Sequence, residues 1–179
     1  MLKKILSYGV VAGLIDGIPL SVLVIAMDGQ PPMQYGMVIG YLTMLIALSA
    51  VFIAIKRYRD TELGGVIGFW PALGIGLGIT VVAGIIYVAA WESAVAITHL
   101  DFGTAYANAL IDQEKAKGVS GEALAKFTAE MEAFKKQYAN PLFRLPMTFA
   151  EIFPVGVLVS LVSAGLLRNS RFLAVRRAA

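Results

Sequence analysis

Four apolar stretches, at about residues 5–26, 34–55, 66–90 and 147–167, decide most of what this chain can become. A hydrocarbon core is about 30 Å thick, and a helix rising 1.5 Å per residue crosses it in about 20 residues. Each stretch is that long. Lipid offers no partner to a backbone N–H or C=O, so a single apolar segment that crosses it must satisfy those groups internally, as a helix does. Composition agrees: 58% of the 179 residues are hydrophobic, 15% are charged and mean hydropathy is +0.75. The expected fold is an all-α membrane protein with four transmembrane helices, one integral membrane domain over residues 1–179. The first stretch follows Lys3 and Lys4 as a signal peptide would, but it is too long and no small-x-small cleavage site follows Ala26. A retained span is expected there.

Basic residues set the expected orientation. Lys3, Lys4, Lys56, Arg57, Arg59, Arg168, Arg171, Arg176 and Arg177 all flank the spans on one side, opposed there only by Asp60 and Glu62, which leaves that side at +7. The loops of the other side carry six basic residues against eight acids, or −2. Positive charge is retained inside, so both termini are expected in the cytoplasm, with the loop "MDGQPPM" and the segment at about 92–146 outside. The net +3 is thereby explained without a nucleic-acid partner, since no soluble basic patch forms. Tyr87, Trp91 and Trp70, near the ends of the third span, are expected at the headgroups. No cysteine is present, which removes disulfides, thiolate metal sites and a thiol nucleophile together.

Glycines recur every four residues: Gly9, Gly13 and Gly17 in the first span, Gly36 and Gly40 in the second, Gly74 and Gly78 in the third. Gly156, Ser160 and Ala164 continue the pattern in the fourth. Lipid tails give helices no hydrophobic reason to associate, so close backbone approach has to supply the attraction, and small residues allow it. These stripes are expected to pack the bundle, with a dimer interface as the other use. Pro19, Pro71 and Pro154 each remove a helical hydrogen bond and are expected to kink their helices, although Pro71 lies near a span end and marking that end is its other reading.

The segment at about 92–146 is too polar to span and rich in helix formers, and it is expected to form an extracytoplasmic helical hairpin. Gly118 and Gly121 bracket its turn, Ser120 is available as an N-cap, and Asn140-Pro141 stops the returning helix. Leu124, Phe127, Met131, Phe134 and Tyr138 repeat at steps of three and four, the period of a coiled-coil seam. That seam either packs on Phe102, Tyr106 and Leu110 of the outgoing arm or offers a surface to a second protein.

The stretches "IALSAVFIAIKRYRD", "LGGVIGFWPALGIG" and "NPLFRLPMTFAEIFPVGVLVSLVSAGLLR" resemble the bacterial membrane family called domain of unknown function 4199. The resemblance runs over most of the chain, with the "KRYRD" junction and the "NPLFR…EIFPVG" approach to the last span as its most recognisable pieces. It implies a small multi-helix protein of the bacterial inner membrane. It brings no activity, ligand or catalytic residue.

Asp16 falls near the midpoint of the first span. Ionised in lipid, it would cost a few kcal/mol even on insertion scales. Protonation or a polar neighbourhood inside the bundle avoids that cost. Counting the other spans to the same depth gives Thr43, Thr80 and Ser160, hydroxyls that would join Asp16 in a polar layer. Glu151, about a turn into the last span, is expected either to reach Arg144 or to take hydrogen bonds from Tyr or Trp groups of the third span. His99, the only histidine, lies near Glu92 and Asp101, but one imidazole with two carboxylates is a weak metal signal, and no metal or cofactor is expected.

No His-Glu-x-x-His, Gly-x-Ser-x-Gly or Gly-Lys-Ser/Thr phosphate loop occurs, and "GIGLGIT" lies inside a span without a preceding strand. The chain is expected not to be an enzyme. Two function classes stay open. The first is a non-enzymatic four-span inner-membrane protein that self-associates or serves as an accessory subunit of a membrane assembly, its partners the lipid bilayer, further copies or another membrane protein. The second is a small proton- or cation-coupled transporter built on Asp16.

Overall fold

Hydropathy alone sets the long elements, and local capping sets where they stop. The computed structural model describes residues 1–26 and 36–174, and among the described residues there are six helices and no strand. They are α1 (Leu2–Ala26), α2 (Gly36–Glu62), α3 (Phe69–Thr98), α4 (Phe102–Ala116), α5 (Gly121–Tyr138) and α6 (Pro141–Leu167). Helices α1, α2, α3 and α6 are long and apolar enough to cross a membrane. The loop "MDGQPPM", the packing of Gly36, and Arg176 and Arg177 lie outside the described residues.

Three of the four long helices outrun the apolar runs that announced them. Helix α2 continues through Lys56–Glu62, where Lys56 and Asp60 pair one turn apart at 2.7 Å. Helix α3 continues past position 90 to Thr98, and His99 ends it in the left-handed region at φ 51°. The last span begins at Pro141, six residues before the apolar run: Asn140 accepts the Leu142 N–H at 3.0 Å as N-cap, and Pro141 occupies the first turn, where its missing donor costs nothing. Pro19, Pro146 and Pro154 all lie inside continuous helices.

The four long helices form a ring in the order α1, α2, α6, α3, with α2 also reaching α3 across the middle. Helices α1 and α3 run parallel. Gly9 faces Val82, Gly13 faces Ile86 and Gly17 faces Ala90, a constant offset of 73 residues. A Cβ on any of the three would come within 2.5–2.6 Å of those side chains, so only glycine admits this approach. Gly78 receives Ile5 in the same contact. Helices α3 and α6 pack antiparallel, Gly76 against Ser160, Gly156 against Thr80 and Gly84 against Phe149.

Gly40 and Gly74 correct the expectation that every glycine series packs the bundle, because neither has anything within 4 Å of a would-be Cβ. Four-residue spacing defines a stripe but not its direction. The buried line of α2 runs instead through Met44, Leu48, Val51 and Ile55, and that of α3 through Ile75, Gly76, Ile79 and Ala83. Outward faces carry large apolar side chains, among them Val10, Ile18, Ile46, Ile85 and Leu158, as lipid contact requires.

Helices α4 and α5 pack side by side between α3 and α6. Gly118 and Gly121 take φ of +86° and +61° in the turn between them, a region that costs glycine little. Ser120 holds the N-cap position of α5, but its side chain makes no cap bond. The α4 cap is Asp101, whose carboxylate accepts the Thr104 hydroxyl at 2.6 Å and the Thr104 N–H at 3.0 Å. Those bonds hold its carboxyl below the usual aspartate range. A lowered folded value means the cap is in place above the ordinary aspartate pKa and is lost as pH falls through the folded one.

Candidate functional site

The polar groups of the bundle sort themselves by helix face. On α1 the buried residues are Gly9, Ala12, Gly13, Asp16 and Gly17, a single stripe at helical spacing. Asp16 therefore enters the interior with the glycines, 3% exposed. Its Oδ2 is fully buried and has no hydrogen-bond partner among the described residues. No other buried side-chain oxygen or nitrogen among them shares that condition.

The polar layer expected around Asp16 does not form. Thr80 and Ser160 bond each other at 3.4 Å. By the offset of the parallel pair, Thr80 is level with residue 7 of α1, nine residues from Asp16, or roughly 13 Å along the axis. Thr43 spends its hydroxyl on its own helix, donating to the Ile39 and Gly40 carbonyls at 2.8 Å. The cause is mostly stagger: the midpoint of α3 lies less than four residues past Thr80, and the parallel register carries Asp16 further, level with Ala89.

Tyr87 lies nearer to Asp16 than those hydroxyls do, without bonding it. Its Cα lies 3.8 Å from a would-be Cβ on Gly17, and by the offset of the pair it is level with Leu14, two residues from Asp16. The ring is buried, and its hydroxyl donates to Glu151 Oε2 at 3.3 Å. Tyr87 thus bonds one acid, Glu151, while its backbone passes the turn of α1 that carries Asp16 and Gly17.

Further polar contacts continue toward the α4–α5 end. Trp91, one turn beyond Tyr87, donates its Nε1–H to the Tyr138 hydroxyl at 2.9 Å. Burial pushes that hydroxyl up to about 12, so it remains neutral across physiological pH. Arg144 grips Glu92 with two bonds of 2.7 and 2.6 Å and lies over the Tyr138 ring at 5.8 Å. Arg144 is therefore committed to Glu92 and makes no bond to Glu151. Tyr87 and Trp91, expected at the headgroups, are buried, because α3 runs seven residues past Trp91 and α5 closes over it.

The seam of α5 is used within the chain at its C-terminal end: Phe134 lies against Tyr106, and Tyr138 against Phe102. Leu124, Phe127 and Met131 are half-buried. His99 caps α3, and no cluster of three metal-ligating side chains occurs among the described residues.

The family described as "Protein of unknown function (DUF4199)" matches residues 7–169, nearly the whole chain. The chain belongs to this family. No curated protein and no solved structure matches it. The match takes in Asp16, Tyr87, Glu92, Trp91, Tyr138, Arg144 and Glu151, so every residue of the polar column lies within the family's extent.

Two residues carry more than the sequence suggested. Arg59, first counted only as an interfacial charge, is completely buried. Its guanidinium bonds Asp60 Oδ1 at 2.7 Å and the carbonyls of Leu167, Phe172 and Leu173 at 3.5, 2.9 and 3.1 Å, closing the end of α6 and the turn after it. Its place at the next turn of the stripe Leu48, Val51, Ile55 was the available signal. Glu92, half-buried beside Trp91 of the buried run of α3, is a carboxylate that calls for a cation from a neighbouring helix.

Proposed function

We propose that the protein is a non-enzymatic, multi-pass protein of the bacterial inner membrane that moves a proton through Asp16, with its basic end and both termini in the cytoplasm. The supporting observation is the buried, unpartnered Asp16 Oδ2 beside Tyr87. A carboxyl clamped for stability would spend both oxygens on donors, since an unsatisfied buried polar atom costs about 1–3 kcal/mol. A buried oxygen left unspent suits a group that binds and releases an ion. Tyr87 and Glu151 extend from it toward the α4–α5 end, and a phenol that can donate and accept is suited to passing a proton between two acids. The basic end lies on the other side of Asp16, where Thr80 and Ser160 provide hydroxyls.

Reconstitution into liposomes with a trapped pH dye tests this reading. Wild-type protein is expected to collapse an imposed pH gradient, Asp16→Asn to fall to the protein-free rate, and Tyr87→Phe to slow the collapse at least tenfold. Wild-type liposomes that hold the gradient as long as empty ones would overturn it.

A second reading, self-association or service as an accessory subunit, is favoured by Gly40, whose would-be Cβ meets nothing within 4 Å. A helix face that admits close approach and finds no partner in its own chain suits one supplied by another. The half-buried Leu124, Phe127 and Met131 leave part of the α5 seam for the same use.

A further inference from the structure

The basic end of the bundle holds a cavity of about 310 Å³ between the first turns of α1 and the last turns of α2, lined by Lys3, Lys4, Ser7, Tyr8, Arg57 and Thr61. That volume is at the lower end of the range of about 300–1,000 Å³ occupied by small-ligand sites. Every lining side chain carries a hydrogen-bonding group, and none is an acid. The arrangement follows from helical spacing: Lys3 and Ser7, Lys4 and Tyr8, and Arg57 and Thr61 are each four residues apart, so each cation is stacked on a hydroxyl of the next turn.

The charges around the cavity are not evenly compensated. Lys56 and Arg59 are paired with Asp60, and Lys4 with Glu62 at 2.7 Å. Lys3 and Arg57 make no ion pair among the described residues. The Arg57 guanidinium only touches the Tyr8 hydroxyl at 3.3 Å, and Lys4 also reaches Thr61 at 3.2 Å. Two unpaired cations thus share one cavity with three hydroxyls at the N-terminus of α1, whose dipole adds positive potential. The cavity lies at the end of four apolar spans, where a bilayer places its headgroups.

We infer that this cavity binds a phosphate oxyanion, with Lys3 and Arg57 as the principal charge partners and Tyr8, whose hydroxyl only accepts from Arg57, as hydroxyl donor; Ser7 and Thr61 donate to the Lys3 and Arg57 carbonyls of their own helices. A guanidinium presents a planar fork matched to phosphate oxygens, and an ammonium supplies a second point charge. Basic pockets between membrane helices hold anionic lipid headgroups by the same chemistry. A phospholipid headgroup and free inorganic phosphate share it. The cavity is separate from Asp16, and its occupancy does not depend on proton movement.

The test uses full-length protein in nanodiscs of phosphatidylcholine containing one tenth phosphatidylglycerol, with retained lipid counted by native mass spectrometry after gentle release. Wild-type protein is expected to keep phosphatidylglycerol at least fivefold above its share of the bilayer. The double variant Lys3→Gln with Arg57→Gln is expected to lose that enrichment. The charge-conserving pair Lys3→Arg with Arg57→Lys keeps most of it, as does Lys115→Gln with Lys117→Gln on the α4–α5 turn. A parallel titration adds inorganic phosphate to protein in pure phosphatidylcholine. Enrichment of the lipid identifies a headgroup as occupant, whereas phosphate binding lost in the Gln pair, without lipid enrichment, identifies the free anion; either supports the site. Equal retention by wild type and the Gln pair in both arms overturns it, as does equal loss in the charge-conserving pair.

Discussion

Truncating Arg59 to alanine is expected to destabilise the protein by about 3–5 kcal/mol, because it removes one partner of a buried ion pair and leaves the other without compensation. Asp60 would keep only Lys56, whose side chain is one-third exposed. The carbonyls of Leu167, Phe172 and Leu173 would lose a donor that water reaches poorly, since Arg59 is 0% exposed. The end of α6 and the turn at 168–174 should loosen first. Limited proteolysis in detergent micelles is expected to cut Arg59→Ala within that turn at protein-to-protease ratios that leave the wild type whole, and its thermal midpoint should fall. Arg59→Lys keeps the charge but not the planar fork, so an intermediate loss is expected. An unaltered midpoint and cleavage pattern in Arg59→Ala would show that the guanidinium closes nothing.

Replacing Gly13 with alanine is expected to cost about 1–3 kcal/mol, although the change adds a single methyl group. The new Cβ would lie 2.6 Å from Ile86 Cβ and 2.8 Å from the Ala83 carbonyl oxygen, and a backbone atom cannot swing aside. Helices α1 and α3 would have to separate, giving up contact along the whole run from Gly9 to Gly17. Gly40→Ala supplies the contrast. Nothing stands within 4 Å of its Cβ, so it should be neutral or raise stability by up to about 1 kcal/mol through a less flexible unfolded chain. Comparing unfolding midpoints of the two variants in the same detergent checks both, and equal effects would contradict the packing described.

The sequence made the four spans legible because length and apolarity are one-dimensional quantities, and lipid enforces them without tertiary help. The family match was legible for a related reason, since its most recognisable pieces are the ends of spans, where local chemistry is dense. Register between helices was not legible. Asp16 was visible as an acid among apolar residues, but its neighbours depended on the stagger of α1 against α3, which a depth count cannot supply, and the count chose Thr80 over Tyr87. Gly40 and Gly74 illustrate the same limit: a repeat every four residues marks a smooth face, while the large residues beside it decide whether that face turns inward. Arg144 was seen as a candidate partner for Glu151 because the two are close in sequence, whereas Glu92, 52 residues away, reaches it through the fold.

Infrared difference spectroscopy on protein in lipid, stepped through pH, tests the central claim most directly, because a carboxyl shows its carbonyl stretch only when protonated and comparison with Asp16→Asn isolates one group among the twelve acids. The wild type is expected to show a reversibly titrating carboxyl band that is missing in Asp16→Asn and displaced in frequency or pH in Tyr87→Phe. Superimposable titrations of wild type and Asp16→Asn would mean that Asp16 exchanges no proton, and the proposed role of the Asp16–Tyr87–Glu151 group would fail with it.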